Sequence, residues 1–121
     1  MNEVIIVHEI MLDIGGGSWG ILNVDLLHSA IERPKASYNG DYLYDSLLVM
    51  ASAMLQSLAQ NHPFIDANKR TAFFSTTYFL EKNDVWVSFD EHEVTPFMLQ
   101  VVVDKISLAD IASWFRDHQR T

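Results

Sequence analysis

Between Ser46 and Gln60 the chain repeats apolar residues at helical spacing. Leu47, Leu48, Met50, Ala51, Met54, Leu55, Leu58 and Ala59 make one wide stripe. Asn61 can end that helix and Pro63 cannot continue it. A second pattern, from about Ala67 to Lys82, is apolar on several sides, with Ala72, Phe73, Phe74, Tyr78, Phe79 and Leu80. That distribution predicts a helix in the middle of the domain. Two long helices joined by a short connection commit the chain to packing helix on helix.

The flanking segments fit the same plan. In "VIIVHEIMLDI" the β-branched run favours a strand, but Val4, Val7, Met11 and Ile14 recur at helical spacing, and the reading leans to a helix. "GGGSWG" breaks it. Asn23 caps a helix with Leu26, Leu27, Ala30 and Ile31 on its apolar face, closed by Pro34. Tyr38, Asn39 and Gly40, followed by Tyr42 and Tyr44, read as a short hairpin. "VWVSF" alternates and predicts one short strand. Asp90 with Glu93 resembles a capping box; Thr95 as cap with Pro96 in first position is the alternative, and both end the helix near Lys105. Ser107 and Asp110 open a last helix that buries Leu108, Ile111, Ala112, Trp114 and Phe115. The expectation is an all-α bundle of about six helices with a short β-hairpin, in one domain over residues 1–121.

Composition narrows the function. A 121-residue chain that is 49% hydrophobic can bury a true core. It has no cysteine, so neither disulfides nor a thiolate metal site exist. A formal charge of -8 argues against general nucleic-acid binding. The N-terminus lacks a basic n-region and no run approaches a membrane span, so the expected location is cytoplasmic.

The connection "NHPFIDANKR" holds the chemistry. Lys69 and Arg70 fall in the first turn of the second long helix, where the helix dipole already presents positive charge. Two cations there are unfavourable unless an anion joins them. Free backbone N–H groups, the Asn68 amide, the Lys69 ammonium and the Arg70 fork together suit a phosphate. Asp66 has the wrong sign for phosphate but suits a Mg2+ ion bridging phosphate oxygens. His62 can serve as a general base near neutral pH. Taken singly, each residue has a structural reading: Asp66 as an N-cap, His62 as a hydrogen-bonded turn residue, Lys69 and Arg70 as a solvated face. Their conjunction points to phosphoryl or nucleotidyl transfer. "GGGSWG" lacks the Lys-Ser/Thr of a phosphate loop and reads as a connection. His8, His28, His92 and His118 lack metal spacing and read as surface or hydrogen-bonded residues.

"HPFIDANKR" resembles the signature of the Fic/Doc family, most closely its Doc (death-on-curing) branch. "VHEIM", the glycine-rich loop, "LLHSAIERP" and "TAFFSTTYFLEKND" follow in the family's order over nearly the whole chain. The resemblance implies His62 as general base, Asp66 as Mg2+ ligand, and Asn68, Lys69 and Arg70 with nearby amides as the phosphate-binding group. Phe64 would be a buried anchor. The hairpin at Tyr38, Asn39 and Gly40 would be a flap that clamps an extended target segment. AMP-transferring members resemble "HPFxxGNGRxxR"; here Ala67 and Lys69 stand for the glycines, and Phe73 stands where the second arginine would be. The Doc branch implies a kinase that uses ATP to phosphorylate a threonine of elongation factor Tu and stop translation. It also implies a Phd-like antitoxin partner, for which exposed apolar residues on the first helix could form a groove. AMP transfer and a non-catalytic binding module are the rival readings.

Overall fold

The computed structural model describes residues 2–120. The all-α expectation holds. The order is α1 (Asn2–Gly15), α2 (Val24–Glu32), a 3-10 turn (Arg33–Lys35), β1 (Ser37–Tyr38), β2 (Asp41–Tyr42), α3 (Leu47–Gln60), α4 (Asn68–Lys82), α5 (Glu91–Leu99), a π-helical turn (Gln100–Asp104) and α6 (Leu108–Asp117). Three helices open on a side-chain cap, at the expected Asn23, at Ser46, and at Ser107, where the box expected with Asp110 forms only its forward half. Asn23 accepts from the Leu26 N–H, Ser46 from the Val49 N–H, and Ser107 from the Asp110 N–H. Asp90 and Glu93 form the reciprocal box, which sets Thr95 aside as the start of α5. Pro96 then lies inside that helix, and the widened turn at Gln100–Asp104 follows it.

The centre of the bundle is α3, not α4. Helix α3 packs against α2, α4 and α6 and buries Ala51, Ser52, Ala53, Met54, Leu55, Ser57, Leu58 and Ala59. Its small residues let neighbours approach on several sides. The large side chains of α4 project further and partly reach solvent, as Tyr78 does. On α4, Phe73 is fully buried and meets Phe74, Phe89, Phe97 and Trp114 edge to face and Phe115 in a stacked arrangement, joining α4, α5 and α6. Arg33 fastens the base of the hairpin to α3. It donates from Nε to the Tyr44 hydroxyl, and from Nη1 to the Ala53 carbonyl, Gln56 Oε1 and Ser57 Oγ.

Two local readings need correction. "VWVSF" forms no strand: Val87 makes an isolated antiparallel bridge with Gln119, flanked by bonds from the Ser88 N–H to the His118 carbonyl and from the Arg120 N–H to the Trp86 carbonyl. Alternation supplied a segment able to pair, but its partner is only the short tail after α6. On α1, Ile14 is 76% exposed, and the inward stripe is Val4, His8 and Met11. The hairpin itself is as expected. Ser37 pairs with Tyr42 and Tyr38 with Asp41, and Asn39 (φ 52°) and Gly40 (φ 87°) make the left-handed turn that a two-residue hairpin requires.

His118 ties α6 to α5. Its Nδ1–H donates to the Trp114 carbonyl and its Nε2–H to the Glu93 carboxylate, with the ring stacked on Trp114. Partial burial by itself would lower the His118 pKa. The bond to Glu93, the Trp114 carbonyl and the charges of Glu93 and Asp117 outweigh it and raise the value. The bond to His118, with that to the Asp90 backbone, lowers Glu93. A raised histidine stabilises fully below its ordinary value of 6.5 and loses that contribution as pH rises through its folded value. A lowered glutamate stabilises above its ordinary value of 4.5 and loses that contribution as pH falls through its folded value. Thermal melts against pH should therefore show the largest gap between the unmutated chain and His118→Gln from about pH 4.5 to 6.5, shrinking on both sides. A gap that does not vary with pH would remove the ion pair as its source.

Candidate active site

The connection between α3 and α4 is built from two left-handed residues and a buried anchor. Asn61 closes α3 in a right-handed conformation, and His62 takes the left-handed one (φ 47°). That reversal leaves the His62 side chain exposed and without a hydrogen bond among the described residues. Phe64 then plunges into the core. Ala67 is the N-cap of α4, again left-handed (φ 62°), and no side chain caps the helix. Asp66 is therefore not the cap. Its carboxylate accepts from the Ala67 N–H at Oδ1 and from the Ser18 N–H at Oδ2. Both oxygens are oriented, and the residue stays exposed.

The side chains of Asn68 and Arg70 are engaged locally. Asn68 clasps Phe64, accepting its N–H at Oδ1 and donating from Nδ2 to its carbonyl. Arg70 reaches across to the end of α1, donating to the carbonyls of Met11 (3.0 Å) and Gly16 (3.3 Å). A cation at the start of α4 thus serves the negative end of α1, a helix with no basic residue in its own last turn. This accounts for one of the two cations that α4 alone left unexplained. Lys69 is exposed and forms no ion pair among the described residues. The N-terminus of α4 offers backbone N–H groups with no side-chain cap, with Lys69 beside them.

The glycine-rich loop is more than a connection. Its residues pair with the segment before α4: Ile21 bridges Phe64, the Leu22 N–H donates to the Pro63 carbonyl, and the Ile65 N–H to the Gly20 carbonyl. A Cβ on Gly17 (φ 122°) would lie 2.9 Å from Asp66 Oδ2, and one on Gly15 would lie 1.7 Å from Arg70 Nη1. With glycine at both positions, the end of α1 and the loop lie against Arg70 and Asp66 without displacing either side chain. His8 also enters the site, fully buried, with Nε2 at 2.9 Å from the Asp66 carbonyl. The spacing Val4–His8–Met11, which places His8 on the inward face of α1, was the signal in the sequence.

Not every expected residue meets the others. Tyr38, Asn39 and Gly40 lie on the exposed hairpin, and no hydrogen bond among the described residues joins it to the His62–Arg70 segment. The hairpin's Tyr42 instead lines a cavity of about 460 Å³ between α1, α3 and α4, with Val4, Met50, Met54 and Phe79.

Among the described residues no three His, Cys, Asp or Glu side chains gather for a metal. One oriented, exposed carboxylate fits a Mg2+ ion that takes its remaining ligands from phosphates and water. An uncapped helix N-terminus with an unpaired lysine fits the phosphates. No described helix is long and apolar enough to cross a membrane.

The left-handed Ala67 carries a backbone cost that glycine would not, and Ala67→Gly should stabilise the chain by about 0.5–1 kcal/mol in urea denaturation. An unchanged or lower midpoint would mean that the alanine methyl contributes packing worth as much as the strain.

A profile described as the Fic/DOC family matches residues 1–80. The chain is 37% identical over 100 residues to "Toxin Doc" of Mycolicibacterium smegmatis, covering 81% of this chain and 77% of that protein. It is 31% identical over 115 residues to "Protein kinase doc" of Escherichia phage P1, covering 95% of this chain and 90% of that protein. The match spans the loop, the motif and most of α4, so the chain belongs to the Fic/Doc family.

Proposed function

We propose that this protein is the toxin of a toxin–antitoxin module and acts as a protein kinase, transferring the γ-phosphoryl group of ATP to a hydroxyl of a translation factor. The observation that carries the reading is the uncapped start of α4, flanked by the oriented Asp66 carboxylate and the exposed His62. The likeness to proteins named "Toxin Doc" and "Protein kinase doc" supports it. A threonine of elongation factor Tu is the proposed acceptor, and a Phd-like antitoxin the proposed partner.

His62 accepts the proton of the target hydroxyl as that oxygen bonds to the γ-phosphorus and the bond from that phosphorus to the leaving ADP breaks. Lys69 and the N–H groups of α4 hold phosphate oxygens, with Asn68 and Arg70 keeping the turn and α1 in place around them. Asp66 holds Mg2+, which when bound neutralises charge on the phosphates. The hairpin's exposed edge pairs with an extended stretch of the target, so that backbone contacts align the hydroxyl. Phe73, in the place of the second arginine, is fully buried and offers nothing to a nucleotide, which weighs against AMP transfer.

The test is label transfer with Mg2+ and elongation factor Tu, using ATP labelled at either the γ or the α position. Label arriving only from the γ position is the expected result. Label from the α position would make the protein an AMP transferase. Label from neither, with whole lysate supplied as acceptor, would leave the motif as the scaffold of a binding module.

A further inference from the structure

His8 is the buried titratable side chain that the proposed chemistry does not use. It sits on the inward face of α1 between Val4 and Met11, fully enclosed. Its ring stacks on Phe64 with centroids 3.9 Å apart and planes 9° from parallel, and Trp19 of the glycine-rich loop covers it at 5.5 Å. A carbonyl oxygen only accepts, so the 2.9 Å contact to the Asp66 carbonyl places a hydrogen on Nε2. Nδ1 is buried and has no partner among the described residues. A leucine or methionine would fill this place without burying an unpaired nitrogen. The imidazole carries that cost, and the hydrogen bond it gains ends on the residue whose carboxylate faces the site.

We propose that His8 is a positioning residue for Asp66: its Nε2–H holds the Asp66 carbonyl while the N–H groups of Ser18 and Ala67 hold the carboxylate. Asp66 is then fixed at both its main chain and its side chain. The three contacts come from α1, the glycine-rich loop and the α4 cap. Groups that orient a metal-holding carboxylate from behind act on metal affinity without touching the metal. The inference rests on the proposed role of Asp66, and its test separates the two.

Mn2+ affinity is measured by electron paramagnetic resonance in the presence of a nonhydrolysable ATP analogue, for the unmutated chain, Asp66→Asn, His8→Phe and His8→Gln. Phenylalanine keeps the stacking on Phe64 and removes the donor, whereas glutamine restores an N–H at similar reach. The expected result is a loss of about tenfold or more in Mn2+ affinity for His8→Phe and recovery to within about threefold for His8→Gln. Asp66→Asn should lose binding outright. If Asp66→Asn binds Mn2+ normally, the proposed role of Asp66 fails and this inference with it. If Asp66→Asn loses binding while His8→Phe keeps it, only the role of His8 is overturned. Should His8→Phe not fold, the decision passes to the ring 15N spectrum of the unmutated chain. A slowly exchanging Nε2–H supports the hydrogen bond to Asp66, and a ring protonated at Nδ1 alone overturns it.

Discussion

Replacing His62 by alanine should lower phosphoryl transfer about 10²- to 10⁴-fold, the usual weight of a positioned general base, while leaving the fold intact. The second half of that expectation follows from the geometry. His62 is exposed and makes no side-chain hydrogen bond among the described residues. Its left-handed φ of 47° is no easier for alanine, so the backbone has no new freedom to gain. Surface changes of this kind move stability by no more than about 0.5 kcal/mol. Transfer rates and thermal melts on the same preparation decide the point. A large fall in rate with an unchanged melt assigns the base. An unchanged rate would mean that the hydroxyl loses its proton elsewhere, and the proposed mechanism would have to be abandoned.

The largest effect on stability is expected at Phe73. This ring is fully enclosed and meets aromatic neighbours from α4, α5, α6 and the 85–89 segment. Truncation to alanine leaves a cavity among rings that cannot collapse freely, and should cost about 3–5 kcal/mol. Against the marginal stability of a domain this size, that lowers the urea midpoint by roughly 2 M. Phe73→Arg should be worse still, because it buries a charge without a partner. Position 73 is where AMP-transferring relatives resemble "GRxxR", yet here it belongs to the core. Restoring that arginine would break the bundle before it could reach a nucleotide. A folded Phe73→Arg chain would show that the α4–α6 packing has a second arrangement.

Much of this protein was legible in its order of residues. Helix caps at Asn23, Asp90 and Ser107 and the turn at Asn39-Gly40 depend on neighbours two or three positions away, and all appear in the structure. The helical stripe of α3 is likewise a local repeat. The motif from His62 to Arg70 is contiguous, so its residues were bound to share one turn whatever the packing.

What the order of residues could not decide is which distant group each side chain meets. The two cations at the start of α4 looked alike in sequence, but Arg70 is drawn to the carbonyl end of α1 and Lys69 is not. Asn68 closes on Phe64, His8 supports Asp66 from 58 positions away, and the glycines of the first loop allow that loop to lie against the motif. "VWVSF" had the alternation of a strand and found only a short tail to pair with. Local sequence determined the helices, their caps and the chemical kit at one turn, because those depend on neighbouring dihedrals and short-range hydrogen bonds. The tertiary structure alone decided which helix sits at the centre and which members of the kit face outward. The first depends on how closely α2, α4 and α6 pack on the small residues of α3, and the second on how α1 and its loop close over the start of α4.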